Sequence, residues 1–492
     1  MTRPARPSGP QPPVVWLLLA VPVLLAGLTG CSADELPAEP AESRRPAAGT
    51  GSEDPDDLNG DGHRDLLVPV YVGGQGDDDP TGRRIGVVYG SADGPDPVTR
   101  TVHDGIELGL PAVAGESIAP SQVLTADLDD DGFPEFVTEV SEQRGTAGEP
   151  GAFRRVVPYV TWGGPRGPGA EEGGATPVRL PRSVAEEGLR SLVRGDFDGD
   201  GRHDLAAFAA DESSLVVLYG PFARSGEPAR KDTDLPWSEG YLVADEPGTS
   251  GAPRATSLLV RGMSDGEQAG NTLHRARRGT GLSRDGEELR PGNAHAFGDF
   301  DGDGLRDVAV GDSGSRNDEP GYRTEAPEVA GSLAVYPGSG EAPVTHTLPE
   351  VPEGRATDYG PGAFFAADPD GDGRDGILVA TYRGATLIDG DRRVEVARDP
   401  APATDEGGER TPEEYLHARP AGAADFDADG DDELVLHWGP GLSFGLYGEY
   451  PTHWWITEGT GSDDVTSFAT TSFAADGAAR GAADGTRSGA LR

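Results

Sequence analysis

One nonapeptide, repeated six times, constrains this chain more than any other feature. It stands at Asp57 (DLNGDGHRD), Asp127 (DLDDDGFPE), Asp196 (DFDGDGRHD), Asp299 (DFDGDGLRD), Asp368 (DPDGDGRDG) and Asp425 (DFDADGDDE). Oxygen-bearing side chains at positions 1, 3, 5 and 9 can converge on one hard cation, and Ca²⁺ favours carboxylates supplemented by a backbone carbonyl and water. The candidate ligands are Asp57, Asn59, Asp61 and Asp65; Asp127, Asp129, Asp131 and Glu135; Asp196, Asp198, Asp200 and Asp204. They continue with Asp299, Asp301, Asp303 and Asp307; Asp368, Asp370 and Asp372; and Asp425, Asp427, Asp429 and Glu433. Position 6 is glycine in every copy, which permits the left-handed backbone of a sharp turn. The copy at Asp368 departs at position 9, where Gly376 stands and Asp375 comes one residue early. Up to six bound Ca²⁺ are expected.

A helix–loop–helix calcium site is excluded. It needs a bidentate Glu at position 12, and here position 12 is Val68, Thr138, Ala207, Val310, Val379 or Leu436. The residues after position 9 are short apolar runs such as Leu66-Leu67-Val68 and Leu434-Val435-Leu436, which read as strands. A second strand follows each loop, at Ile85–Tyr89, Tyr159–Trp162, Leu215–Tyr219, Leu333–Tyr336, Ala385–Ile388 and Phe444–Tyr447. Several of these end in an aromatic residue and glycine, the ring suited to a core between sheets and the glycine to a turn. His63 and His203, at positions 7 and 8, are expected to face solvent.

The first aspartates lie 70, 69, 103, 69 and 57 residues apart, a period that suits a four-stranded propeller blade with long loops. Within the wide gap, Ser257-Leu258-Leu259-Val260-Arg261-Gly262 echoes Ser191-Leu192-Val193-Arg194-Gly195. Residues 250–290 read as a seventh, abbreviated repeat without calcium; the other reading is a long insertion in the third repeat. The loop at Asp57 has no strand before it, and the C-terminal Val465–Ala474 resembles the strand that elsewhere precedes a loop. Closure of a ring by that segment would leave no long sheet edges exposed.

The N-terminus carries Arg3 and Arg6, then an apolar run from Val14 to Ala26, too short to span a bilayer and suited to a signal peptide. It ends in Leu28-Thr29-Gly30-Cys31, which resembles a bacterial lipobox. Cys31 is the one cysteine of the chain and the expected lipidation site; no internal disulfide can form. The expected organisation is a lipoprotein signal peptide over 1–30, a lipidated Cys31 with a flexible tether over 31–54, a propeller over 55–477 and a disordered tail over 478–492. The formal charge of −44 disfavours nucleic acid and anionic membrane surfaces as partners.

The motif residues Ala296-Phe297-Gly298-Asp299-Phe300-Asp301-Gly302-Asp303-Gly304-Leu305-Arg306-Asp307-Val308-Ala309-Val310-Gly311, with the five sister loops, resemble the FG-GAP/VCBS repeat family. Its best-known member is the N-terminal propeller of integrin α subunits. The resemblance covers about residues 55–477. It implies an all-β fold, a seven-bladed β-propeller with calcium loops on one face and partner-binding loops on the other.

Three functional expectations follow. The first is a monomeric, surface-anchored binding or adhesion module for an extracellular protein or glycan, held by lipid on the outer face of the bacterial cytoplasmic membrane. The long insertions 221–256, 312–331 and 391–416 are its candidate contact surface, because functional residues favour loops on rigid scaffolds. The second is a cell-envelope enzyme, a polysaccharide lyase or hydrolase. No G-x-S-x-G elbow or H-E-x-x-H motif is present, and no carboxylate pair stands out, so no catalytic residue is assigned. The third is a structural envelope spacer. The tripeptide Arg194-Gly195-Asp196 is not read as an adhesive signal, because Asp196 opens a calcium loop.

Overall fold

The computed structural model describes residues 43–72, 82–112, 118, 123–144, 153–169, 174–236, 238–249, 251–263, 268–314, 329–350, 364–382, 384–398, 410–411, 416–439, 452–461 and 464–473. They form a seven-bladed β-propeller of antiparallel sheets. Blade 3 shows the pattern. Its inner strand Leu189–Gly195 leads into the loop at Asp196, and Asp204–Ala209, Leu215–Phe222 and Pro228–Leu235 follow outward in order. The second strand is buried along its whole length, because blades pack on both of its faces. That is why it reads as a continuous apolar run rather than an alternating one.

The loops at Asp127, Asp299, Asp368 and Asp425 likewise join an inner to a second strand. These pairs are Val123–Ala126 and Glu135–Arg144, Ala294–Gly298 and Asp307–Gly311, Phe364–Ala367 and Gly376–Thr381, and Arg419–Ala424 and Glu433–Trp438. Repeated connectivity therefore places these loops at one end of the ring. The strand expected at Phe444–Tyr447 lies outside the described residues; the third strand of blade 7 there is His453–Thr457.

Seven apolar clusters hold the ring, one at each junction between neighbouring blades. Phe136 and Val140 of blade 2 meet Ile85, Val87 and Tyr89 of blade 1. Val68, Val70 and Val88 of blade 1 meet Phe426, Val435 and Ile456 of blade 7, which closes the circle. The expected aromatic filling between sheets is present, with Tyr89, Trp162 and Tyr219 all in such clusters.

Closure differs from the expected exchange of a strand. Asp464–Ala469 pairs with His453–Thr457 as the outer strand of blade 7. The 3-10 turn Thr470–Phe473 that follows packs against Leu66–Val72 of blade 1. Phe473 is buried there, stacked on Phe468 with ring centroids 5.6 Å apart. Blade 1 thus has three strands among the described residues, and Phe473 joins the apolar cluster shared by blades 1 and 7.

The wide gap contains a complete blade. Blade 4 comprises Gly240–Ala244, Leu258–Gly262, Ala269–His274 and Glu287–Gly292. It is not abbreviated, and it begins before residue 250. Leu258–Gly262 is its second strand, so residues 245–257, not 263–267, stand where the other blades carry the acidic nonapeptide loop. The expected insertion 221–256 consequently belongs largely to blades 3 and 4.

Residues 43–54, expected as tether, are laid along the ring. Arg44 bridges to Thr99, and Ser52 N–H donates to the Gly132 carbonyl at 2.9 Å. The signal peptide, Cys31 and the tail over 478–492 lie outside the described residues, as do most of 312–331 and parts of 391–416.

Candidate metal centres

Each loop is folded by its own first aspartate. In blade 3, Asp196 Oδ1 accepts the N–H of Asp200 at 3.0 Å and Oδ2 that of Gly201 at 2.9 Å. The same pair of bonds recurs at Asp57, Asp127, Asp299, Asp368 and Asp425. The turn needs left-handed backbone at position 6, and Gly201 adopts φ 92°. Position 5 then accepts the N–H of position 7, as Asp303 does from Leu305 at 2.8 Å.

This folding draws carboxylates together. Asp127, Asp129 and Glu135 present oxygens that lie within 4.8 Å of one another, as do Asp196, Asp198 and Asp204, and Asp425, Asp427 and Glu433. In blades 5 and 6 the groups are Asp299, Asp301 and Asp303, and Asp368, Asp370 and Asp372. Asp131, Asp200, Asp429 and Asp307 stand outside these groupings. Two of them have cationic neighbours instead, Asp131 in Arg224 and Asp200 in Arg202. The first loop has no such three-carboxylate group, because Asn59 supplies an amide at position 3.

Position 3 shows that a cation fits. Asn59 Oδ1, Asp129 Oδ1 and Asp198 Oδ1 are buried without a hydrogen-bond partner. Their other oxygens or nitrogens are used: Arg224 takes Asp129 Oδ2, Arg230 takes Asp198 Oδ2 at 2.6 Å, and Asn59 Nδ2 donates to Asp61 Oδ2. A buried acceptor left unpaired costs free energy, and a hard cation among carboxylates removes that cost.

Electrostatics point the same way. Burial, reinforced by neighbouring carboxylates, pushes Glu135 up to about 9 and Glu433 up to about 8. Burial likewise raises Asp127 and Asp307 to about 6, and Asp65 and Asp204 well above the usual carboxylate range. A bound divalent cation would reverse this local balance.

Position 9 has a second task that the sequence pattern did not reveal. Asp204 Oδ2 accepts the N–H of Phe197 at 2.8 Å, and Oδ1 accepts that of Gly220 at 2.9 Å. Asp65, Glu135 and Asp307 make the equivalent pairs with Leu58 and Gly90, Leu128 and Gly163, and Phe300 and Gly338. The aromatic–glycine ends of the third strands are thus tied to the loops. At Gly90, an added Cβ would stand 2.3 Å from the Arg64 carbonyl oxygen, so the residue must be glycine for the approach.

Position 8 links neighbouring blades. Asp375 Oδ2 accepts the N–H of Asp299 at 2.6 Å, and Asp432 Oδ2 that of Asp368 at 2.8 Å. Asp375 is therefore a clamp on the preceding blade. His203, expected in solvent, is buried, and its Nδ1 accepts the N–H of Asp127 at 2.8 Å. Burial lowers its pKa to about 4, which keeps that nitrogen free to accept. An acid immediately before position 9, as at Asp375 and Asp432, was the available signal.

In blade 4 guanidinium groups stand in the cation's stead. Asp245 follows the inner strand as Asp196 does in blade 3, and its side chain is 1% exposed. Arg254 and Arg306 both pair with it, Arg306 Nε lying 3.1 Å from Oδ1. Charge compensation at Asp245 is built from the chain itself.

The same end of the ring is crossed by a further ionic network. Arg194 is only 12% exposed, and its guanidinium meets Asp56 at 2.7 Å and Glu246 at 2.6 Å. Arg64 pairs with Asp54 and Asp56. Asp56, Arg64, Arg194 and Glu246 line one part of a cavity of about 460 Å³ bounded by Val123, Leu192, Ala244 and Ala423. Arg194 is saturated by these partners, so the Arg194-Gly195-Asp196 tripeptide is not offered to solvent.

No family model matches the chain, and no curated protein matches it. Among solved structures it is similar to an Agrocybe aegerita lectin described as recognising non-reducing terminal N-acetylglucosamine. That likeness has 13% identity and a TM-score of 0.41, over 82% of this chain and 94% of that one. It is also similar to BBS1N in complex with ARL6DN, at 12% identity and a TM-score of 0.39, over 82% and 93% of the two chains. A third is the V. cholerae biofilm matrix protein Bap1, at 12% identity and a TM-score of 0.30, over 89% and 97%. At these identities the likeness is one of backbone course and carries no ligand across.

Proposed function

We propose that this chain is a calcium-stabilised β-propeller that acts as a binding module, not an enzyme. In this reading it is anchored through a lipidated Cys31 on the outer face of a bacterial cytoplasmic membrane and engages an extracellular protein or glycan. The observation that carries the metal part is the buried, unpartnered oxygen at position 3 of three loops, which in the loops at Asp127 and Asp196 belongs to a group of three converging carboxylates. Asp57, Asp127, Asp196, Asp299, Asp368 and Asp425, with their loop partners, would hold the ions. When bound, Ca²⁺ supplies positive charge that offsets carboxylate repulsion. The chain's own residues supply the scaffold: position 1 shapes each loop, an acidic position 9 ties it to the third strand, and position 8, as at His203, Asp375 and Asp432, ties it to the preceding blade.

The rigid ring supports a binding role, because it fixes loop positions before a partner arrives and so lowers the ordering cost of association. The test is to present the protein, in Ca²⁺ and in chelator, to an array of envelope polysaccharides and to purified surface proteins. Saturable, calcium-dependent binding without product release is expected. Steady release of shortened polysaccharide would overturn the binding reading in favour of an enzyme. Labelling with a fatty-acid analogue, lost in Cys31→Ser, tests the anchor.

A further inference from the structure

We propose that residues 47–52 form a strap belonging to the first metal site, so that strap docking and cation binding at loop 57–65 are one equilibrium. The inference rests on the reading of that loop as a cation site. The strap lies along the loop through backbone bonds. Gly49 N–H donates to the Asn59 carbonyl at 3.1 Å, and the N–H groups of Thr50 and Gly51 reach the Gly60 carbonyl at 2.8 and 3.0 Å. Ser52 continues onto the second loop at Gly132. The approach is close enough that a Cβ on Gly49 would stand 2.1 Å from the Gly60 carbonyl carbon.

The strap also orients a ligand. Asn59 Nδ2 donates to the Ala47 carbonyl at 3.1 Å and to Asp61 Oδ2 at 2.8 Å. With the amide nitrogen so engaged, Oδ1 is the atom left over, and it is buried and unpartnered. An amide has no charge to attract a cation at long range, so its orientation decides whether it serves as a ligand. The cover explains a difference in burial as well. Asn59 is fully buried, whereas the equivalent Asp301 and Asp370, in blades 5 and 6, are exposed; Asp57 is fully buried, whereas Asp299 and Asp368 are half-buried. A cation in the first loop leaves only when the strap lifts. By linkage, whatever the strap adds to cation affinity the cation adds to strap docking.

The strap is the last part of the chain before the ring, so calcium at this one loop would set where the ring's N-terminal lead begins. Docked, the lead is fixed from Arg44, whose N–H donates to the Val98 carbonyl at 2.7 Å. Released, it gains the length of residues 44–52.

Limited trypsin digestion of the full chain tests the proposal, because Arg44 presents an exposed side chain on a backbone held by the ring. The reading is the rate at which a fragment beginning at Arg45 appears. In wild type, Ca²⁺ is expected to slow that cleavage about tenfold relative to chelator, a typical coupling between two sites. Gly49→Ala alters no proposed ligand. It should lose the protection and release one calcium about tenfold faster into a chelating dye, with the other equivalents unchanged. Asn59→Asp keeps an oxygen at position 3 but removes the donor to Ala47, and should bind Ca²⁺ while cleaving faster than wild type. Calcium bound by wild type with no change in cleavage at Arg44 would overturn the strap, as would a Gly49→Ala protein that stays protected and releases calcium at the wild-type rate. Absence of any calcium uptake by wild type would instead overturn the metal reading on which it rests.

Discussion

Pro369 and Gly376 occupy, in the loop of blade 6, two positions that in the other five loops bind each other. Elsewhere position 2 donates its N–H to the position 9 carboxylate, as Phe300 does to Asp307 at 2.9 Å and Phe426 to Glu433 at 2.8 Å. Proline has no N–H and glycine has no carboxylate, so blade 6 lacks donor and acceptor together. Neither is left buried and unpaired, which is the costly outcome. The departure at Gly376 is a coordinated loss of one staple rather than a displaced ligand.

The staple and the metal site can be separated by mutation. Asp204→Leu strands the N–H groups of Phe197 and Gly220, and should destabilise the protein by about 1–3 kcal/mol even in chelator. Urea unfolding in chelator checks this. A loss seen only in the presence of calcium would mean that Asp204 serves the cation alone.

Removal of a first-position carboxylate should act the opposite way. Asp196→Asn retains an oxygen to accept one loop N–H but loses charge. It should lower calcium stoichiometry by one, with a smaller fall in chelator stability than Asp204→Leu produces. Equilibrium dialysis with metal analysis gives the count.

Blade 4 predicts a calcium-independent effect. Arg254→Met leaves the buried Asp245 with Arg306 as its one charged partner, and breaking a buried pair costs roughly 3–5 kcal/mol where no partner remains. A smaller loss is expected here because Arg306 persists. It should be equal with and without Ca²⁺, measured by denaturant midpoint. The double variant Arg254→Met/Arg306→Met should exceed the sum of the singles, because only then is Asp245 uncompensated.

The pH dependence has a definite sign. Without calcium, burial raises Glu433 to about 8 and Asp127 and Asp307 to about 6. A group raised on folding contributes stability below its unfolded value and loses it as pH rises through the folded one. Chelated protein should therefore lose stability between about pH 4 and pH 8. Calcium should cancel that loss, so its stabilising increment grows with pH. Melting curves at pH 5, 6, 7 and 8, with and without Ca²⁺, read both trends.

The sixfold loop was legible because its geometry is local: Asp196 folds its own turn through residues four and five positions away. The blades were legible because second strands such as Asp204–Ala209 and Asp307–Gly311 are buried on both faces and so read as apolar runs. What escaped the sequence is what joins distant residues. Asp375 sits next to a ligand position but serves Asp299, and His203 serves Asp127. Blade 4 was placed one strand late, because its metal-free loop carries none of the pattern that sets the register and Leu258–Gly262 resembles an inner strand in composition. The docking of residues 43–54 was hidden for a simpler reason. Apart from side-chain contacts such as the Arg64–Asp54 pair and the Asn59 side chain on Ala47, its bonds run through backbone groups, which every residue carries.

The most direct test of the account is thermal unfolding of the protein with excess Ca²⁺ and with chelator, paired with a count of bound metal. A site filled at a hundredfold excess over its Kd adds about 2.7 kcal/mol. Several filled loops should therefore raise the melting temperature by many degrees and return several equivalents of calcium. An unchanged melting curve with no calcium bound would contradict the account, and would leave the six loops as turns held by their own backbone.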